Sequence, residues 1–129
     1  MNAIEMLENQ HRQAEALFRE LEEVQPERRT SVFTQLVRTL NAHMALEEQV
    51  FYPAAHAVDA AEVKHAIKEH ADAKGILNEM ARIGAGEERF MTRLADLKET
   101  ITLHVEEEEN ELFPRCYREM EEEQLLDLA

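Results

Sequence analysis

The chain has 129 residues, with 28 Asp and Glu against 14 Lys and Arg, giving a formal charge of −14. One domain is the default at this length, and so acidic a chain repels nucleic acid and anionic lipid, whose recognition needs clustered cations to displace counterions. Three Gly and three Pro supply too few turns for a β-sandwich or barrel; a single Cys excludes an internal disulfide and fits a reducing, cytoplasmic compartment; neither a basic-apolar leader nor a long apolar run is seen, so no signal peptide and no membrane span are expected.

The first helix is predicted from Asn2 to Val24, ending before Pro26. The second starts at Thr30 or Ser31, either of which can cap a helix. It runs to Tyr52, where Pro53 removes a backbone donor and ends or kinks it. The third opens on Asp59-Ala60-Ala61-Glu62, a capping box with Asp in the Ser/Thr place, and stops at Gly84-Ala85-Gly86. The fourth runs from Glu87 to Phe113 and meets Pro114. Four long segments with short connections predict an all-α fold, an antiparallel up-down-up-down four-helix bundle over residues 1–118. A short helical tail follows over 119–129. Its Leu125, Leu126 and Leu128 either cover one end of the bundle or make a dimer contact, so monomer and homodimer both stay open.

Each segment carries an apolar stripe at spacings of three and four. The stripes read Ile4, Leu7, His11, Ala14, Phe18, Leu21; then Phe33, Leu36, Leu40, His43, Glu47, Val50; then Val63, Ala66, His70, Ala73, Leu77, Met80; and Phe90, Leu94, Leu97, Ile101, His104, Glu108. One histidine on a core stripe is ordinary. A histidine on all four, with a glutamate one turn later on two, is not. A carboxylate in a core costs several kcal/mol unless neutralised, paired or bound to metal. No Lys or Arg lies on these stripes; Lys74 is one position off. Metal binding is therefore expected.

Spacing adds to this. His43 and Glu47 are four apart, about 40° from each other on one helix face, and His104 with Glu108 repeats the arrangement. His43-x3-Glu47-Glu48-x4-Pro53 recurs as His104-x3-Glu108-Glu109-x4-Pro114, displaced by 61 positions, while His11 and His70 are displaced by 59. The chain is thus two helical hairpins, each giving one His from its first helix and a His–Glu pair from its second. Six such donors with two carboxylates to share suit two ions better than one. Without metal, two like charges in a dry core are expected to raise each other's pKa.

His11, His43-x3-Glu47, His70 and His104-x3-Glu108, with Phe51-Tyr52-Pro53 and Leu112-Phe113-Pro114, resemble the hemerythrin-like, or HHE cation-binding, family over residues 1 to about 118. The resemblance implies a non-haem di-iron centre, oxo- or hydroxo-bridged, in which Glu47 and Glu108 bridge and His11, His43, His70 and His104 are terminal ligands. The oxygen carriers of that family have a further histidine where this chain has Lys74. Four terminal histidines rather than five favour the smaller bacterial members, linked with oxygen, peroxide or nitric oxide chemistry and with iron handling. The function this implies is binding or sensing of dioxygen or a related small ligand. The alternatives are an enzyme that decomposes peroxide or reduces nitric oxide, and an iron store or donor. Manganese and zinc also suit mixed imidazole and carboxylate donors.

Among the remaining candidates, His65 lies about 140° round the helix from His70 and should face solvent, as should His56 beyond Pro53. Glu15 follows His11 by one turn and is read as a spare ligand or a surface charge. Glu48, Glu107 and Glu109 adjoin the bridging positions and are expected in solvent, with Glu107 as the alternative to Glu108. Tyr52 and Tyr117 are expected to pack at a bundle end, with an inward-reaching donor as the alternative for each, and Cys116 is given no chemistry.

Overall fold

Asn2 starts the first helix: its side chain accepts from the Glu5 amide at 2.9 Å, and Glu5 accepts from the Asn2 amide at 3.0 Å. This reciprocal cap satisfies donors that a helix end otherwise leaves unpaired. In the computed structural model, which describes residues 1–129, it opens α1 (Ala3–Glu23). A 3-10 turn over Pro26–Arg28 feeds directly into α2 (Arg29–Leu46). That helix therefore begins just before Thr30 and Ser31, with no side-chain cap. After α3 (Tyr52–Ala55) the Asp59 side chain accepts from the Glu62 amide at 3.1 Å and opens α4 (Ala60–Ile83). Gly84, at φ 89°, ends α4 in a conformation that L side chains avoid. Next come α5 (Glu88–Glu107), α6 (Phe113–Glu119) and α7 (Glu122–Asp127).

The molecule is an all-helical bundle in which α1 packs on α2 and α4 on α5. The predicted stripes face inward, with one exception: Val50 is exposed, and Phe51 and Tyr52 are buried in its stead. The cause is a π-helical turn over Glu47–Phe51, matched by another over Glu108–Leu112. Such a turn holds more residues than an α turn, so the next inward side chain falls four or five positions on rather than three. It also lets the helix run on through Pro53 and Pro114, each of which sits in the first turn of a new α segment where no donor is needed.

The apolar core is divided in two. One part, with Phe18, Leu36, Leu77, Phe90 and Leu94, fills one end. The other, with Ile4, Leu7, Phe51, Tyr52, Phe113 and Cys116, fills the opposite end. Leu125 of α7 is buried in the second part, where α7 lies against α1. Each fully buried Leu or Phe contributes about 1.5–3 kcal/mol. Between the two parts lies a layer of buried polar side chains: His11, His43, Glu47, His70, His104 and Glu108. No helix is long and apolar enough to cross a membrane.

Candidate metal centre

The polar layer draws its six members from four helices and the two π turns. The first helix of each hairpin, α1 or α4, gives one histidine; α2 and α5 give His43 and His104, and the π turns that follow give Glu47 and Glu108. The structure therefore brings together all six residues singled out on the stripes. Their donor atoms fall into two groups that could each hold an ion: His11, His43, Glu47 and Glu108, and Glu47, His70 and His104. Glu47 belongs to both.

The inner nitrogens face the carboxylates and one another. Nε2 of His43 and of His70 each lie 3.0 Å from Glu47 Oε1. His11 Nε2 lies 3.0 Å and His104 Nε2 3.3 Å from Glu108 Oε1. His70 and His104 approach Nε2 to Nε2 at 3.2 Å. Two buried polar atoms in this layer, His43 Nε2 and Glu47 Oε2, make no hydrogen bond at all. His43 Nε2 is close to Glu47 but misaligned for one. Orphaned buried donors and acceptors are costly, and here both belong to residues of one donor group whose atoms lie within 4.8 Å of one another. That is the arrangement a metal ion would satisfy.

The outer nitrogens fix the inner ones. His11 Nδ1 donates to Glu109 at 2.7 Å, His43 Nδ1 to Gln10 at 2.6 Å, His70 Nδ1 to Glu48 at 2.8 Å and His104 Nδ1 to Glu69 at 2.9 Å. Each acceptor is a side-chain oxygen, so Nδ1 carries a hydrogen and Nε2 is the nitrogen left to trade a proton for a metal ion. Such partners orient metal-binding imidazoles and raise their basicity. They obey the internal repeat: Glu109 and Glu48 each follow a central glutamate and serve the first-helix histidine of the other hairpin. Gln10 and Glu69 each precede a first-helix histidine and serve its neighbour. Glu48 and Glu109 are thus not the solvated charges expected of them. Lys74 pairs with Glu48 at 3.0 Å and Arg12 pairs with Glu109, so cations brace these two carboxylates from outside.

Tyr52 takes the alternative reading, that of an inward-reaching donor. It follows Glu47 by five residues, one turn of the π segment, and its hydroxyl reaches the centre. It donates to Glu108 Oε2 at 2.5 Å and sits 3.3 Å from Nε2 of both His70 and His104. The repeat places Phe113 at the equivalent position, stacked on His11 with ring centroids 5.9 Å apart. The two halves of the centre therefore differ by this hydroxyl, as well as by Gln10 in one where the other has Glu69. Glu15 is half-exposed and pairs with Arg12 at 3.4 Å, away from the layer. His56 is exposed. His65 is half-exposed, as expected, and Glu107 lies beside it. Tyr117 is exposed and Cys116 buried, with burial pushing the thiol up to about 11.

Charge in the metal-free layer is balanced by protons. Burial disfavours a charged His104, but Glu108, Glu47 and Glu69 outweigh it and push its pKa up to about 12. Burial opposes the charge on His11 too, and its bonds to Glu108 and Glu109 raise it. Burial alone would raise Glu47; His43, Glu108 and His104 hold it well below the usual carboxylate range. For Glu47 this is the opposite of the expected rise, because imidazoles surround it. Burial, then Glu47 and Glu108, push the Tyr52 hydroxyl far up, so it stays a donor.

Against the imidazoles lies a void of about 10 Å³ walled by Ala14, Leu40, Met44, Ile101 and Val105, space for one water-sized molecule. Ile101 and Val105 also wall a surface cleft of about 400 Å³ between α1 and α5. A cleft of about 450 Å³ farther along α5 is lined by no member of the layer.

The family model described as the hemerythrin HHE cation binding domain matches residues 2–116. A crystal structure of a hemerythrin HHE cation binding domain-containing protein, the Rv2633c homolog from Mycobacterium kansasii, is similar with a TM-score of 0.88 at 25% identity, over 99% of this chain and 80% of that one. A Nostoc sp. (strain PCC 7120 / SAG 25.82 / UTEX 2576) protein named DNA nickase is 26% identical over 126 residues. That match takes in 96% of this chain and 36% of the relative's length.

Proposed function

The chain belongs to the hemerythrin HHE cation-binding domain family, and from that premise we propose that His11, His43, Glu47, His70, His104 and Glu108 hold two iron ions at which the protein binds or senses dioxygen or a related small ligand. The observation that carries this reading is the engagement of all four outer imidazole nitrogens by side-chain oxygens. It leaves four inner nitrogens, free to exchange a proton for metal, around two carboxylates. Glu47, common to both donor groups, and Glu108 are the shared carboxylates. Four imidazoles and two shared carboxylates are fewer donors than two six-coordinate ions take, so positions remain for an exogenous ligand. Iron follows from the family resemblance; the donor set also accepts manganese or zinc.

When bound, a ferrous pair supplies the two electrons that dioxygen takes up. The chain's own residues do the rest. The void beside the imidazoles limits the ligand to a few atoms. Leu40, Met44, Ile101 and Val105 keep bulk water out. Tyr52 holds a proton on a hydroxyl oxygen 2.5 Å from Glu108 Oε2, the one hydroxyl donor at the layer. Gln10, Glu48, Glu69 and Glu109 fix the rings and need not move when the inner atoms exchange protons for metal. DNA cleavage, the activity in the Nostoc relative's name, is not carried over: this chain spans 36% of that protein, and its charge of −14 opposes phosphate contact.

The test is anaerobic loading with ferrous iron, then one equivalent of dioxygen per iron pair, followed by optical spectroscopy. A near-ultraviolet band that forms once and saturates at one equivalent supports binding or sensing. Sustained turnover of peroxide or nitric oxide assigns the enzyme alternative instead, and rapid loss of iron to a chelator assigns a store or donor.

A further inference from the structure

A second group of metal-type donors lies outside the buried layer. His65 and Glu69 are four apart on α4, and Glu107 ends α5 beside them. His65 Nε2 is 3.2 Å from Glu107 Oε2 and 3.4 Å from Glu69 Oε2. One donor atom from each of the three residues lies within 4.8 Å of the other two. We propose that His65, Glu69 and Glu107 form an outer site for a single divalent transition cation, joined to the buried centre through Glu69.

Four observations carry this. Glu107 Oε2 is shielded from solvent yet makes no hydrogen bond; its approach to His65 is not that of an aligned donor. Glu69 has two employments: Oε1 accepts from His104 Nδ1 at 2.9 Å while Oε2 faces His65. The first bond fixes the carboxylate and leaves its second oxygen for an ion. No Lys or Arg pairs with Glu69, Glu107 or Glu62, and Glu62 shares this face of α4 at three and seven residues from His65 and Glu69, so one imidazole faces an excess of carboxylate. Finally, the other hairpin does without the cluster. The equivalents of His65, Glu69 and Glu107 are Met6, Gln10 and Leu46, and Met6 and Leu46 line an apolar recess with Leu128 of the tail. The bundle thus closes that face with apolar contacts, and the donors on this face answer to something other than packing.

One imidazole and two carboxylates suit manganese, ferrous iron or zinc, and the half-exposed setting leaves the remaining positions to water. The outer site does not depend on which metal fills the inner one. The experiment titrates manganese(II) into iron-loaded protein, following the paramagnetic resonance of the free ion and measuring iron before and after. The expected result is one manganese bound per chain with iron retained, weakened at least tenfold in His65→Ala and in Glu107→Gln. Helical content by circular dichroism is expected to stay constant, because His65 is half-exposed. No manganese uptake, uptake unchanged in both variants, or uptake matched by iron loss would overturn the proposal. A sample without iron would count against the reading of the buried centre, while dependence of manganese on His65 would still decide the outer site.

Discussion

Tyr52→Phe removes one oxygen atom from the centre. The ring itself is 1% exposed and its hydroxyl is the only hydrogen-bond donor to Glu108 Oε2. Phe113 at the equivalent position of the other hairpin shows that the site tolerates the bare ring. In the metal-free protein the substitution strands a carboxylate oxygen that is cut off from water. A hydrogen bond to a charged group contributes about 1.5–3 kcal/mol, and leaving its buried acceptor unpaired forfeits that amount. For a domain of this size, intermediate between the surveyed ranges, that is a fall in melting temperature of roughly 5–12 °C. In the metal-loaded protein the cost should be smaller, since a Glu108 that held metal would have less need of the donor. The assay is thermal and urea unfolding of both proteins with and without metal. A metal-free loss under about 0.5 kcal/mol, the range of surface substitutions, would refute the hydroxyl–carboxylate contact. Equal losses with and without metal would refute the bridging role of Glu108.

His70→Ala is expected to lose at least one metal and the oxygen-dependent absorption, whereas His65→Ala keeps both buried ions and shifts stability by no more than about 0.5 kcal/mol; equal loss in elemental analysis would mean that the buried ligand set is wrong. Glu48→Ala frees His70 Nδ1 without touching the centre, so metal affinity should fall about 10–100-fold, measured by chelator competition, while the inner ligands stay in place. Metal-free protein should be most stable between about pH 5 and 6.5. His104 and His11, raised in the fold, contribute stability that is full below their ordinary value of 6.5 and is lost as pH rises through the folded value. Glu47, held low, contributes stability that is present above 4.5 and lost as pH falls through its folded value. Melting temperature against pH checks this, with the metal-loaded protein as control, since it carries the same surface charge and should show a shallower alkaline decline.

The stripes were legible because burial on a bundle axis imposes a period that few residues break. His11, His43, Glu47, His70, His104 and Glu108 stood out as polar side chains at positions the period reserves for Leu or Phe. Tyr52 is legible only as an alternative, because α-helical spacing past Glu47 points to Val50, whereas a π turn there retires Val50 and brings the residue five positions on to the centre. A period read from side chains alone has no term for one wide turn. Glu48, Glu109, Gln10 and Glu69 each sit next to a proposed ligand, about 100° round the helix, where solvent is the usual neighbour. Their signal was nonetheless in the sequence. The repeat that pairs Glu47 with Glu108 pairs Glu48 with Glu109, and the position before each first-helix histidine holds an amide or carboxylate. The start of α2 was misplaced by a residue or two because Thr30 and Ser31 look like caps, while the turn at Pro26 enters the helix without one.

The central claim is that the buried layer holds a pair of ions, and counting them tests it most directly. Elemental analysis of freshly purified protein, grown with iron and scaled to chain concentration, should give two irons per chain. One tightly held metal per chain, or none after iron supplementation, would contradict the account.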